Sequence, residues 1–196
     1  MKILLDRSYN TKTRFYEYAL LASSEDKYTG YARVISSYHR PLYMVKYQDE
    51  EVCRLEEDNL LRPWLGLLSL VFPGLRVKYT LKMEGLKENS ILTYNGNFYS
   101  IKIDTNCYAI KGHSGCIVTI WENEGQVALI KRVKSVLGNG FETVEVLYDK
   151  HIPKHLIVLF SMFGWEIFVG RINGNRTITS ISFSNPTVNI NWQPSE

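Results

Sequence analysis

Along Leu75-Arg-Val-Lys-Tyr-Thr-Leu-Lys-Met83 apolar and polar residues alternate without a slip. Leu75, Val77, Tyr79 and Leu81 share one face, and Arg76, Lys78, Thr80 and Lys82 share the other. Period-two alternation of this kind predicts a strand with one buried and one wet side. Short Tyr- and Val-rich runs between polar turns recur through most of the chain: RFYEYALLA, YTGYARVISSY, PLYMVKY, EVCRLEE, CYAIKG and FETVEVLYD. In ILTYNGNFYSIKI the pair Asn95-Gly96 predicts a hairpin, because both residues tolerate positive φ. In CIVTIWENEGQVALIKRVKSV the segment ENEG predicts the turn between two further strands.

Two stretches break the alternation. Asn59 to Gly74 is an apolar insert in which Pro63 and Pro73 bracket Trp64 to Phe72. It reads as a short helix with Pro63 in its first turn, or as an apolar loop. The other is KHLIVLFSMFGWEIFVG, from Lys154 to Gly170, which has no polar face between Leu156 and Trp165. A helix apolar all round is buried on every side or lies in lipid. Spanning a bilayer takes roughly 20 apolar residues, more than this run supplies. The reading is a buried helix near residues 153–165, started by Pro153, with a buried strand as the alternative. After Gly170 the chain turns rich in Asn, Ser and Thr. Residues 171–196 are expected as a polar C-terminal extension of a single domain spanning 1–196, and the alternation in TITSISF and TVNINW favours short strands there.

Two segments repeat an order of features. In each, a strand ends in an aromatic (Tyr47, Trp121), an acidic turn follows, and a strand begins with Val (Val52, Val127). A Val- and Tyr-bearing strand comes after. The repeat suggests two equivalent sheets, each a meander of hairpins, closed around one core; the bland alternative is two ordinary meanders.

Composition narrows the class. The chain has 196 residues, 45% hydrophobic and 22% charged, which suits a folded domain rather than a disordered chain. Its net charge of +3 is mild and its Lys and Arg are scattered, which excludes a dedicated nucleic-acid binder. Cys53, Cys107 and Cys116 form no CxxC and have no His at zinc spacing, so buried thiols in a reducing compartment are expected. The opening MKILLDRS has too short an apolar run for a secretory leader, so the NRT sequon at Asn175 carries no weight. These features together predict a cytoplasmic protein, peripheral at the membrane at most.

The hairpin residues Gly125, Val127, Ala128, Ile130 and Lys131, then the strand FETVEVLYD, then the apolar HLIVLFSMF, occur in an order that resembles the C-terminal part of the LURP-one-related proteins. These belong with the tubby C-terminal domain and the phospholipid scramblases. The resemblance covers Leu42 to Val169 as an order of elements, and Gly125 to Phe163 at the level of motif. It implies a mainly β fold: a closed antiparallel β-barrel of tubby-like type, threaded by the apolar helix. It also implies a non-enzymatic binding or scaffold domain, drawn to anionic phospholipid. Tubby domains bind phosphoinositides, but their basic residues have no positional match here. Family members carry an acidic residue at the end of the central helix, where this chain has Gly164-Trp165, with Glu166 beyond.

Candidate chemistry is sparse. His151 and His155 are four apart, but Pro153 separates them and no further ligand follows, so no metal and no cofactor is expected. GHSG is one residue short of a nucleophile elbow, and LGNG precedes a strand rather than a helix, which makes it a turn. TNCYAIKGHSGC reads as strand, Gly turn, strand, with its cysteines acting as small buried hydrophobes. Lys131, Arg132, Lys134, Lys150 and Lys154 are the candidate site for lipid or another anion, gathered at one barrel rim; the bland alternative is a solvated strand face. Trp64, Leu67, Leu68 and Phe72 are the candidate contact with a membrane or a protein partner; folded back, they would cap the barrel. The competing functional class is an enzyme whose site is assembled from scattered residues.

Overall fold

The computed structural model describes residues 1–13, 15–20, 28–33, 41–58, 78–86, 90–136, 141–169 and 188–195, with only the backbone of 134–136. Among the described residues twelve strands precede one helix. The first six are β1 (Lys2–Asn10), β2 (Phe15–Leu20), β3 (Tyr28–Arg33), β4 (Leu42–Tyr47), β5 (Glu50–Glu57) and β6 (Lys78–Met83). The next six are β7 (Ser90–Tyr94), β8 (Phe98–Ile103), β9 (Asn106–His113), β10 (Ile117–Glu122), β11 (Gly125–Val136) and β12 (Phe141–Tyr148), and α1 (Lys154–Phe168) follows. Each strand pairs antiparallel with its neighbours in sequence, and β1 closes the sheet on β12 with Ile3 opposite Val146 and Leu5 opposite Val144. Closure leaves no sheet edge to pair with another chain.

Period-two alternation sets which side chains face inward. On β5 these are Cys53, Leu55 and Glu57; on β6 they are Tyr79 and Leu81; on β12 they are Glu142, Val144, Val146 and Tyr148; all are buried. The predicted strand from Leu75 is therefore observed from Lys78 onward, while 75–77 lie outside the described residues.

The barrel is filled by α1. Every residue from Leu156 to Glu166 is buried, and the helix packs on β3, β4, β5, β9 and β10 while bonding to side chains of β1, β2 and β12. A helix walled in on all sides needs no polar face. It starts after Pro153, whose carbonyl accepts from Leu156 and Ile157, and it runs beyond Trp165 to Phe168. Phe163 sits among Tyr43, Tyr79 and Tyr99, edge-on, with ring centroids 5.1, 5.1 and 4.9 Å away. No described helix is long and apolar enough to cross a membrane.

The two repeated segments become the hairpins β4–β5 and β10–β11. Both turn on two residues with positive φ, Gln48-Asp49 and Asn123-Glu124, as right-twisted strands require. Both then shift register, so that Val52 and Val127 are the extra residues of two bulges. The hairpins lie six strands apart around a ring of twelve, on opposite walls. They belong to one continuous sheet rather than two.

Two further expectations are corrected. Cys107 is exposed, because its neighbours Tyr108 and Ile110 take the inward positions, and Cys116 is only partly buried; Cys53 alone is a core thiol. In the C-terminal extension, TITSISF lies outside the described residues, and 188–195 hold a turn and no strand, with the Ser195 N–H donating to Asp149 Oδ1 at 2.6 Å.

Candidate functional site

Ionisable side chains collect inside the barrel toward the C-terminal half of α1. Arg7 on β1 and Glu142 on β12 occupy opposed inward positions. Arg7 donates Nε to Glu166 Oε1 at 2.6 Å and Nη2 to Glu166 Oε2 at 3.1 Å, a two-pronged pair. The Tyr18 hydroxyl donates to the same Oε1 at 2.5 Å. Glu142 accepts from the Trp165 indole at 3.0 Å and from Arg132 at 2.8 Å, with Arg7 Nη1 3.5 Å away. Two guanidiniums thus face two carboxylates. Burial alone would lower the pKa of Arg7, yet its hydrogen bonds and charge interaction with Glu166 hold it above the ordinary value. Tyr18 is pushed up by burial and by the Glu166 charge, so it stays a donor. Taken together, the two guanidiniums and two carboxylates balance in charge around the buried Arg7–Glu166 pair, which suits pinning the helix in place.

The topology sorts charge on the outside. Odd strands run one way and even strands the other, so connectors alternate between two ends. At the proximal end, where α1 goes in, the described connector residues are 48–49, 84–86, 104–105, 123–124 and 149–153. They carry Asp49, Glu84, Asp104, Glu124 and Asp149 against Lys150, a net charge of −4. At the distal end the described connector residues 11–13, 41, 58, 95–97 and 114–116 carry Lys12 and Asp58, a net charge of zero. Asp58 and Lys78, which flank the apolar insert, meet at the distal end, where the Asp58 N–H donates to the Lys78 carbonyl.

The five basic candidates are distributed over both ends. Lys131 faces outward and pairs with Glu145 Oε2 at 2.9 Å, while its neighbour Arg132 turns to Glu142 and lies over the Trp165 ring. Lys134 pairs with Thr143 on the distal half of β11. Lys150 and Lys154 are proximal, on either side of Pro153. Alternation separates neighbours on a strand, and six residues of strand at about 3.3 Å each put some 20 Å between Lys134 and the β12 end that leads to Lys150. Trp64, Leu67, Leu68 and Phe72 lie outside the described residues.

An outward cleft of about 470 Å³ opens over β8, β9 and β10, lined by Phe98, Cys107, Lys111 and Trp121 among others. Lys111 Nζ sits 4.1 Å from the Trp121 ring centroid, and burial lowers its pKa. Beside it, the Trp121 indole donates to Thr119 Oγ1 at 2.8 Å, and that hydroxyl lies 2.8 Å from His113 Nε2. Burial, then the Lys111 charge, bring the His113 pKa down to about 4.

Among the described residues no three His, Cys, Asp or Glu side chains converge on a possible metal position. Their geometry defines a class: a twelve-stranded closed barrel with a helix as its core and a neutral ionic centre. No family model, curated protein or solved structure matches the chain. Sequence reading missed Arg7, Tyr18 and Glu142. The available signal was Arg7 and Glu142 at inward positions of otherwise apolar alternations, and Glu166 one helical turn after Met162.

Proposed function

We propose that this protein is a non-enzymatic binding domain that docks on an anionic lipid surface with its distal end. The observation that carries the reading is the charge of the described connector residues, −4 proximal against zero distal; by sequence, the connectors that join distal strand ends add Arg14, Arg40, Arg62 and Arg76 and include the apolar insert. A chain of net charge +3 placed near an anionic surface is oriented by such a separation. Each Lys or Arg near the surface contributes about 1 kcal/mol, and an apolar strip with Trp and flanking Arg suits the headgroup level. Filling the barrel with α1 leaves binding to the ends and the outer wall.

Co-sedimentation with phosphatidylserine vesicles tests the reading. Lys12→Ala with Lys78→Ala, both exposed and distal, is expected to weaken binding roughly thirtyfold at low salt. Lys150→Ala with Lys154→Ala is expected to leave it unchanged. Added salt should remove the electrostatic part and spare apolar insertion, which Leu67→Ser with Leu68→Ser should abolish. Absence of vesicle binding at low salt, or loss through the proximal pair instead, overturns the proposal.

A further inference from the structure

We propose that the proximal mouth of the barrel holds a soft monovalent metal ion, Cu(I), between Met83 Sδ, His155 Nε2 and Cys53 Sγ. Cys53 on β5 and Met83 on β6 are direct cross-strand partners, and Cys53 faces inward. His155, in the first turn of α1, meets both: its Nε2 is 3.2 Å from Met83 Sδ, and Cys53 Sγ donates to its backbone carbonyl at 3.7 Å. Thioether, thiol and imidazole are the donor types that select Cu(I) over harder ions. The mouth is reachable, since Met83 and His155 are partly exposed while Cys53 lies just beneath.

Charge points the same way. An ordinary imidazole is mostly neutral above pH 7 and an ordinary thiol mostly protonated below pH 8, so a metal bound here displaces the thiol proton. Binding then joins Cu(I) to one thiolate, one neutral imidazole and one thioether, and releases one proton to solvent. The product carries no net charge, which a half-buried position tolerates; a divalent ion there would leave one positive charge uncompensated. Without metal, Nε2–H donates to Met83 Sδ; with metal, the ring takes the Nδ1–H tautomer and Nε2 turns its lone pair to the ion.

The test uses the full chain carrying Cys107→Ser and Cys116→Ser, which removes the two more accessible thiols. Under anaerobic conditions this protein is titrated into the coloured Cu(I)–bicinchoninate complex. One Cu(I) per chain should be withdrawn. Met83→Leu and His155→Ala should each lower the affinity by at least about tenfold, the smallest effect seen even for groups one shell further out. Cys53→Ser should abolish withdrawal, and Zn(II) should not compete. If Cys53→Ser fails to fold by circular dichroism, the near-isosteric Met83→Leu decides. No withdrawal by the parent protein, or equal withdrawal by the Met83 and His155 variants, overturns the site. This end is opposite the one proposed for lipid, so either proposal stands or falls without the other.

Discussion

Arg7 and Glu166 are single residues whose worth depends on each other. Breaking a buried ion pair from one side leaves an uncompensated charge, whereas the intact pair adds little over apolar residues of the same size. Glu166→Gln is therefore expected to lower stability by about 3–5 kcal/mol in urea denaturation. Replacing both partners, Arg7→Met with Glu166→Leu, should recover most of that loss; equal instability of the double variant would show that Tyr18 and Glu142 depend on the pair. His113 sets a pH dependence. The unfolded chain takes up a proton there near pH 6.5, the folded protein only near pH 4. Between these values the unfolded state binds more protons, so stability falls as pH drops through the window and does not respond above it. Discounted for the ring's partial exposure, the loss should reach about 1–2 kcal/mol by pH 4. Comparing His113→Gln with the parent at pH 7.5 and pH 4.5 checks this: the variant should lose less stability on acidification.

At the scale of elements, α1 touches the wall closely enough for glycine to matter. A Cβ at Gly164 would lie 2.7 Å from Val118 Cγ1 and 2.9 Å from Ile110 Cγ2. Those atoms belong to β-branched side chains with little freedom to turn aside. Alanine normally favours a helix by about 1 kcal/mol over glycine. Here overpacking should win, and Gly164→Ala is expected to destabilise by about 1–3 kcal/mol in thermal or urea melts. A stabilised variant would mean that the helix can shift away from β9 and β10. The reach of α1 to Phe168 was hidden in the sequence, because Glu166 looks like a polar stop. Only the opposed Arg7 makes a carboxylate acceptable inside. Strand positions were easier to see, since each inward–outward alternation is local to five or six residues.

At the scale of the whole molecule, closure ties the core to the sheet. β1 bonds to β2 on one side and to β12 on the other, so the seam joins residues almost the full domain apart. The helix inside can meet water only when that ring opens. Backbone amides of Leu156 to Trp165 should therefore exchange with solvent through global unfolding, with the same opening free energy as β1 and β12. Hydrogen exchange followed by mass spectrometry checks this; faster exchange in the helix would mean that it leaves through one mouth while the barrel stays shut. Contacts of such sequence separation also predict slow folding relative to helical proteins of this size.

The sequence alone determined the strands, the buried helix and the apolar insert, because hydrophobic periodicity is a property of neighbours and survives without knowing the partners. It also placed the two hairpins that share a turn and a bulge. Tertiary structure decided everything that depends on who lies opposite whom. It joined Arg7 to Glu166 across 159 positions. It separated Lys131 from Arg132 by the strand's own pleat. It set Asp49, Glu84, Asp104, Glu124 and Asp149 at one end, which no local pattern records, because an even–odd rule along a closed meander assigns each described connector to its end.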